Sequence, residues 1–217
     1  GGMKKSTVEL SGVLTVGEDG GISGRLRREL GVLPPGDFRN CLVALSDDES
    51  LVSELFQYRF DQGEGLQGHN FGNLFIAAMT EVTNSFEQAL YESSRVLAAH
   101  GRIIPATMEA VTLSAILSDG NFIEGESNIS EASGGIERLM IRPETASAHE
   151  MAVDAICDAQ LVIIGPGSLY TSILPNILIE GIRVAIEQTN AKKIYICNVA
   201  TQKGETEGYS IRDHHHV

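Results

Sequence analysis

Residues 161–178 read LVIIGPGSLYTSILPNIL. Within them, the apolar residues 161–164 lead directly into the turn 165–168, which reads GPGS, and a second apolar run follows. This pattern predicts a buried strand, a glycine turn and the start of a helix or irregular turn. At the carboxyl end of a strand in an open α/β sheet, such a turn directs N–H groups and hydroxyls into a crevice, so we interpret it as an anion-binding floor. The expected donors are Ser168, Tyr170, Thr171 and Ser172.

The same turn is also typical of an ordinary chain reversal at the top of a sheet. It matches neither the lysine-containing phosphate loop nor the spaced-glycine dinucleotide fingerprint, because no lysine follows Gly167 and no third glycine lies at the required offset. A ligand-binding function for this turn therefore depends on the rest of the chain.

Composition excludes several classes of protein. The 217 residues are 42% apolar and 21% charged, which is ordinary for a globular α/β protein, and we expect a single domain over residues 1–217. The formal net charge of −13 argues against a nucleic-acid-binding surface. No apolar run is long enough to predict a membrane span, and no signal peptide pattern precedes the first strand. The three cysteines, Cys41, Cys157 and Cys197, lack metal-ligand spacing and suit a reducing cytoplasm.

An acidic glycine turn follows the predicted first strand, residues 8–16. It reads EDGG at 18–21, and a helix is expected to start at Ser23, which is a plausible cap. Two interpretations remain open: a ligand or metal site with arginines behind it for phosphate, or a capped helix with a solvated basic face. Under the first interpretation the candidate metal ligands are Glu18 and Asp19, and the candidate catalytic residue is Asp19. The basic cluster is Arg25, Arg27 and Arg28, with Arg39 not far behind in the sequence.

Residues 68–73 read GHNFGN and open a long predicted helix. Small residues there let the backbone approach a partner closely, while His69, Asn70 and Asn73 supply neutral donors and acceptors at the helix N-terminus. Neutral donors suit a nucleotide. The alternative is an ordinary capped helix.

The remaining pattern predicts how the core and an insertion are arranged. A hairpin signal at Asp119-Gly120 lies in short alternating segments, so we predict a β-rich insertion at 103–141 between core segments 8–102 and 142–209, with tails at 1–7 and 210–217. The strand 193–198, KIYICN, ends in polar residues as the other two strand ends do. The predicted fold class is therefore α/β, a Rossmann-like, mostly parallel sheet with helices on both faces.

Other charged clusters are assigned no function. The carboxylate pairs Asp47-Asp48 and Glu205/Glu207 are expected to be solvated. The terminal histidines 214–216 are interpreted as a solvated tail or tag remnant, with a metal trio as the alternative.

Four long collinear blocks resemble the YvcK/CofD-like family. They read EDGGISGRLRRELGVLPPGDFRNCLVALSDDE, GHNFGNLFIAAMTEVTNSFEQAL, LVIIGPGSLYTSILPNIL and KIYICNVATQKGETEGYS. The resemblance implies a Rossmann-like fold with the ligand across the strand ends. It is strongest to the bacterial gluconeogenesis factors, which bind UDP-sugars and support cell shape and wall synthesis. The more distant branch is 2-phospho-L-lactate transferase, which uses a guanine nucleotide-activated phospholactate and Mg²⁺.

The resemblance also assigns the candidate site residues. The residues implied to bind the nucleotide are Asp19, Gly20, Gly21, Ser23, Arg25, His69, Asn70, Asn73, Gly165, Gly167, Ser168, Ser172 and Asn198. The family's first turn, Gly-Gly-Gly-Thr-Gly, and its C-terminal third have no counterpart here, so the chain is expected to be truncated at both ends. The chain also has Glu18 and Ile22 where the family's acidic turn has Asp and Ser.

Three hypotheses follow for function. The first is a cytoplasmic regulatory protein that binds a UDP-sugar, without membrane span or nucleic acid, and forms a homodimer by family habit. The second is a phospholactyl-type transferase that uses Mg²⁺ at the acidic turn. The third is a fragment that binds no nucleotide because the first glycine turn is missing.

Overall fold

The computed structural model describes residues 9–46, 50–202 and 204–216. The pair Asp47-Asp48, the predicted tail 1–7, the start of the first strand at Val8 and the side chains of His215 and His216 lie outside the described part. The chain divides into two compact units, Gly1–Leu14 with Asp19–Pro105, and Thr15–Glu18 with Ala106–Val217. The single domain expected over residues 1–217 stays a prediction, and each unit is described by itself.

The first unit is mainly helical. Its elements in chain order are β1 (Ser11–Leu14), α1 (Gly21–Leu30), α2 (Gly36–Leu45), α3 (Leu51–Gln57), α4 (Phe71–Thr83), α5 (Phe86–Val96) and β2 (Arg102–Pro105). Its core contains the fully buried ring of Phe38, which meets Phe86 edge-on at 5.1 Å between ring centroids. This apolar core holds together helices that are individually too short to be stable in water.

The strand β2 corrects the predicted boundary of the insertion. Residues 103–105 lie within the predicted β-rich insertion at 103–141, but β2 pairs in parallel with β1, with Ser11 opposite Arg102 and Leu14 opposite Pro105. The run RIIP has two consecutive apolar residues rather than an alternating pattern, which is typical of a strand in a parallel pair.

The second unit contains both antiparallel and parallel strands. Its elements are β3 (Thr112–Leu117), β4 (Phe122–Glu124), α6 (Glu126–Glu131), β5 (Ile136–Arg142), α7 (Glu150–Cys157), β6 (Leu161–Ile164), a π-helix (Leu169–Ile173), α8 (Leu174–Ile177), α9 (Glu180–Gln188), β7 (Lys192–Tyr195) and α10 (Ile211–His216). The strands β4, β3 and β5 form an antiparallel sheet in that order, with the predicted hairpin turn at Asp119-Gly120. The strands β6 and β7 pair in parallel.

The fold class is confirmed as mixed α/β, with parallel strand pairs and helices. Two local predictions are wrong. The strand β6 is half-buried rather than buried, with Leu161 40% exposed, because among the described residues β7 is its one strand neighbour. The predicted tail 210–217 contains α10, where His214 is buried and packs edge-on against the Tyr209 ring.

Among the described residues, no single helix has the length and apolar composition needed to cross a bilayer. One bent pair, Leu169–Ile177 with Glu180–Gln188, meets the same test jointly.

Candidate functional site

The acidic glycine turn is built by a close approach within the first unit. Helix α1 begins at Gly21 with Gly20 as its N-cap, and no side chain caps it, so the prediction that Ser23 caps α1 is wrong. Gly21 has a φ of 53°, a left-handed conformation that glycine adopts without strain. A Cβ at Gly24 would overlap the Asp19 carbonyl oxygen, so the turn folds directly onto the helix.

Two arginines of α1 lie close to Asp19. Arg28 Nη1 donates a hydrogen bond to the Asp19 carbonyl oxygen at 3.3 Å, and the Asp19 carboxylate lies close enough to Arg27 to interact with its charge. Burial lowers the pKa of Arg27, and the Asp19 charge partly opposes that shift. No group of three or more His, Cys, Asp or Glu side chains in the described part of the chain could hold a metal ion. The positive charges of Arg27 and Arg28 lower the affinity of Asp19 for a cation, and metal binding by Glu18 and Asp19 stays a prediction.

Arg25 lies on the exposed side of α1. Its Nε donates to Glu29 Oε1 at 2.7 Å, and the two side chains are 47% and 55% exposed. At this residue the geometry fits a solvated basic face. Phosphate binding by Arg25 stays a prediction.

A polar cluster lies at the N-terminus of α4; we call Ser23, Arg39, His69, Asn70 and Asn73 the α4 cluster. All of its members are buried except Arg39, which is half-buried. Asn70 is the N-cap of α4, and its side-chain oxygen accepts from the Asn73 N–H at 3.1 Å. Asn73 in turn accepts from Arg39 Nε at 2.9 Å and donates to Ser23 Oγ at 3.1 Å. The structure therefore joins Ser23, Asn70 and Asn73, all predicted for the nucleotide site, through hydrogen bonds, with His69 next to Asn70 in the chain. It adds Arg39, which lies near the basic cluster in the sequence but is not among the residues predicted for the site. The signal for Arg39 was its place in the first collinear block.

The close packing of the α4 cluster depends on Gly72. A Cβ there would lie 2.5 Å from the Phe56 carbonyl oxygen and 2.8 Å from Arg39 Cδ, so a side chain would push Arg39 away from Asn73. This is the close backbone approach that the small residues of GHNFGN predict.

His69 is the unusual member of the α4 cluster. Its side chain is 5% exposed, yet neither Nδ1 nor Nε2 has a hydrogen-bond partner within the described structure. A neutral imidazole has one donor and one acceptor, and leaving both unsatisfied in the interior costs free energy. An external partner at His69 would recover that cost.

In the second unit, the turn after β6 is held against the backbone after β7. Gly165 has a φ of 81°, and a Cβ there would lie 2.6 Å from the Ile196 carbonyl oxygen. Asn198 Nδ2 donates to the Gly167 carbonyl oxygen at 2.9 Å. The predicted strand, glycine turn and helical start are all observed.

A side-chain amide network connects this turn to the segment after β7; we call Gly167, Ser168, Asn198 and Gln202 the glycine-loop cluster. Asn198 Nδ2 donates to Gln202 Oε1 at 3.1 Å, and Gln202 Nε2 donates to Ser168 Oγ at 2.6 Å. These amides and the hydroxyl are neutral donors of the kind that can bind a polar ligand. Gln202 follows the strand predicted at 193–198, and the local pattern does not predict its contact with Ser168.

Two of the expected anion donors bind a side chain of the protein itself. The Tyr170 N–H donates to Glu205 Oε2 at 3.2 Å, and Thr171 Oγ1 donates to Glu205 Oε1 at 3.1 Å. The prediction that Glu205 is solvated is wrong, because Glu205 is 5% exposed. These hydrogen bonds explain how a carboxylate can be buried there.

The other donors of the π-helix are arranged differently. Ser172 is exposed, and its carbonyl oxygen accepts from Asn176 Nδ2 at 2.7 Å. The Tyr170 hydroxyl pairs with the Tyr209 hydroxyl at 2.7 Å, and burial, with that hydrogen bond, raises the pKa of Tyr170. Of the four donors expected at this turn, Ser168 is the one within the glycine-loop cluster.

Comparison with known proteins gives matches over nearly the whole chain. A family described as 2-phospho-L-lactate transferase CofD matches residues 1–217. The gluconeogenesis factor of Bacillus subtilis is 49% identical over 213 residues, covering 98% of this chain and 67% of that protein. The gluconeogenesis factor of Halalkalibacterium halodurans is 47% identical, covering 98% of this chain and 66% of that protein. A Nostoc protein assigned provisionally to the same group is 53% identical, with 98% of this chain covered but 47% of its own length.

Solved structures agree with these matches. Two crystal structures of a Bacillus halodurans protein, described as a member of the UPF0052 family, superimpose with a TM-score of 0.95 at 47% identity. Each covers 99% of this chain and 69% of the solved chain. The family match extends over residues 1–217, and the chain spans about two thirds of the length of the Bacillus subtilis and Halalkalibacterium halodurans proteins.

Proposed function

Because this chain belongs to the CofD family, with gluconeogenesis factors among its relatives, we propose that it is a regulatory protein that binds a nucleotide-sugar of the UDP-N-acetylglucosamine type. In the cell, this binding would take place in the cytoplasm and support cell shape and wall synthesis during growth on gluconeogenic carbon sources. The observation that carries the proposal is the buried His69 ring at the N-terminus of a 13-residue helix; the two ring nitrogens have no partner among the described residues.

The chemistry of the α4 cluster suits a polar ligand. With a formal net charge of −13, the protein's overall field repels an anionic nucleotide, so local donors must supply the attraction. The positive end of the α4 dipole and the Arg39 guanidinium provide it, and Asn73 holds Arg39 in place at 2.9 Å. His69 adds one donor and one acceptor in a site from which water is largely excluded.

The glycine-loop cluster is a second set of neutral donors and is tested separately. Ser168, Asn198 and Gln202 form a continuous amide and hydroxyl network that ends at the Gly167 carbonyl oxygen. Such a network discriminates between ligands because an analogue that leaves it unpaired loses affinity.

The experiment is calorimetric titration with UDP-N-acetylglucosamine, with GDP plus Mg²⁺ as the comparison ligand. We expect wild-type protein to bind the UDP-sugar, and His69→Leu to weaken binding at least about tenfold, which corresponds to about 1.4 kcal/mol. Because the His69 ring makes no hydrogen bond to the part of the chain that the structure describes, His69→Leu should leave the Tm of the free protein unchanged or slightly higher. His100→Leu is the matched control, since His100 is an exposed histidine of the same unit.

A separate titration of Ser168→Ala and Asn198→Ala tests whether the glycine-loop cluster binds a polar ligand in its own unit, and both variants should weaken any binding there. Binding of GDP plus Mg²⁺ alone, with transfer to a deazaflavin acceptor, would replace this proposal with the transferase function that the family description names. Absence of binding to either nucleotide would support the non-binding fragment.

A further inference from the structure

We infer that Glu205 is a positioning residue: its buried carboxylate occupies the donors at the start of the π-helix and thereby holds the amides of Asn198 and Gln202 against the glycine turn. This inference rests on the proposed function, because the ligand that it affects is the nucleotide-sugar. Glu205 would thus affect ligand binding without contacting the ligand.

The first step is the environment of the carboxylate. Glu205 is 5% exposed, and its two oxygens accept from different donors, the Tyr170 N–H at 3.2 Å and the Thr171 hydroxyl at 3.1 Å. Within the described residues, no ion pair involving Glu205 is formed. Burying a carboxylate against neutral donors costs more desolvation free energy than burying an apolar residue. We therefore attribute the role of Glu205 to the geometry that its hydrogen bonds impose.

The second step is the position of Glu205 in the chain. Gly204 has a φ of 82°, and a Cβ there would lie 2.7 Å from the Ala132 carbonyl oxygen, so the backbone of the loop is already packed tightly. The Thr206 side chain is buried and accepts from the Gln202 N–H at 2.9 Å, while the Thr206 N–H donates to the Gln202 carbonyl oxygen at 2.9 Å. Thr206, the residue next to Glu205, therefore holds Gln202 in place through both its backbone N–H and its backbone carbonyl group.

The third step connects this loop to the glycine turn. Gln202 Nε2 reaches Ser168 Oγ at 2.6 Å, and Gln202 Oε1 accepts from Asn198 Nδ2 at 3.1 Å. Ser168 immediately precedes the π-helix whose first donors bind Glu205. The loop thus contacts the same turn through Gln202 at Ser168 and through Glu205 at Tyr170 and Thr171.

A consequence follows for where an anion can bind in this unit. The Tyr170 N–H and the Thr171 hydroxyl are the donors that an anion would use at this helical start, and the protein's own carboxylate fills them. The polar groups that face a ligand are then those of the glycine-loop cluster. Glu205 excludes a phosphate from the helical start and positions neutral amides in its place.

The test compares Glu205→Gln, Glu205→Ala and Glu207→Ala. Glutamine can accept from the Tyr170 N–H and donate to the Thr171 oxygen, so it preserves the shape without the charge. Alanine leaves both donors unsatisfied, whereas Glu207 is an exposed glutamate of the same loop and serves as the matched control. Titration with UDP-N-acetylglucosamine is made at a temperature where circular dichroism shows each variant to be folded.

We expect Glu205→Ala to weaken UDP-N-acetylglucosamine binding at least about tenfold, with Glu205→Gln and Glu207→Ala within about threefold of wild type. Addition of formate, which can occupy the vacated anion position, should restore part of the affinity of Glu205→Ala and leave wild type unchanged. Stronger binding by Glu205→Ala would overturn the inference and identify Glu205 as an inhibitory anion that the ligand displaces. Equal losses in the glutamine and alanine variants, or in Glu207→Ala, would also overturn it.

A measurement without ligand separates this inference from the proposed function. Amide hydrogen exchange over residues 165–173 and 196–202 should accelerate in Glu205→Ala and match wild type in Glu205→Gln. If wild-type protein binds no nucleotide-sugar but the exchange pattern holds, the proposed ligand is wrong while the positioning by Glu205 stands. If exchange in both segments is unchanged in Glu205→Ala, the positioning itself is refuted.

Discussion

At the scale of single residues, Gly24 shows how one missing Cβ shapes the acidic turn. Glycine inside a helix costs about 1 kcal/mol relative to alanine, so Gly24→Ala would stabilise α1 if the space were open. Here a Cβ would overlap the Asp19 carbonyl oxygen. The turn over residues 19–21 therefore requires glycine at position 24, although glycine has a low helix propensity.

We expect Gly24→Ala to lower the free energy of unfolding by at least about 2 kcal/mol, because the turn or the helix must shift to accommodate the methyl group. Urea denaturation followed by circular dichroism measures it. Gly21→Ala is the matched control: nothing lies within 4 Å of a Cβ there, so it should lose only the roughly 1–2 kcal/mol of a left-handed φ. A Gly24→Ala protein as stable as wild type would contradict the packing of this turn.

Asp37 makes a pH-dependent contribution to stability in the first turn of α2. Burial raises the pKa of Asp37, and the nearby Arg39 charge partly opposes that shift. A carboxyl whose folded pKa lies above its unfolded value favours folding when protonated. Its contribution is therefore present below the ordinary aspartate pKa of about 4 and is lost as the pH rises through the folded value.

We expect Asp37→Asn to be more stable than wild type at neutral pH, with the difference shrinking as the pH falls toward about 4. Thermal unfolding of both proteins across this pH range measures the difference. A stability difference independent of pH would show that the Asp37 carboxyl does not titrate differently in the folded protein.

At the scale of elements, side-chain caps define where the helices of the first unit begin. Ser50, Asn70 and Ser85 each accept a hydrogen bond from the backbone N–H three residues further on. Each bond satisfies one of the N–H groups that the first helical turn leaves without a partner. The caps therefore give α3, α4 and α5 sharp starts, and in α4 the cap is also part of the α4 cluster.

Ser85 allows this effect to be measured away from the candidate site. We expect Ser85→Ala to cost about 1 kcal/mol of stability, and Ser85→Asp to stay close to wild type because aspartate is an equally good cap. Chemical denaturation provides the measurement. Ser94→Ala, inside the same helix, should be neutral or slightly stabilising because alanine has the higher helix propensity; equal effects at both serines would argue against the cap.

At the scale of the whole molecule, the charge balance affects stability as well as ligand capture. With 29 acidic and 16 basic residues, the protein repels itself in the folded state more than in the expanded unfolded state. Surface ion pairs such as Arg183 with Glu187 offset little of this repulsion, because exposed pairs contribute about 0–1 kcal/mol each.

We expect the Tm to rise as sodium chloride increases from about 0.01 M to about 0.15 M, since the Debye length falls from about 30 Å to about 8 Å. Differential scanning fluorimetry measures this shift, and potassium chloride should reproduce it if the cause is screening. A Tm that falls over this range would show that favourable ion pairs outweigh the net repulsion.

The sequence alone determined the local elements. Strand β6, its glycine turn, the hairpin at Asp119-Gly120 and the capped start of α4 follow from periodicity, positive-φ glycines and capping chemistry, which act over a few residues. These local patterns also carried the family resemblance. The sequence therefore predicted the fold class and the identity of most α4 cluster residues.

Only the tertiary structure decided which residues meet across long sequence separations. Ser23 reads as a helix cap but binds Asn73, which is 50 residues away, and Glu205 reads as a solvated carboxylate but lies buried against Tyr170 and Thr171. A local pattern likewise does not show that the His69 nitrogens find no partner among the described residues, or that β2 pairs with β1. The physical reason is that burial and hydrogen-bond satisfaction depend on what packs against a side chain, and that partner comes from distant parts of the chain.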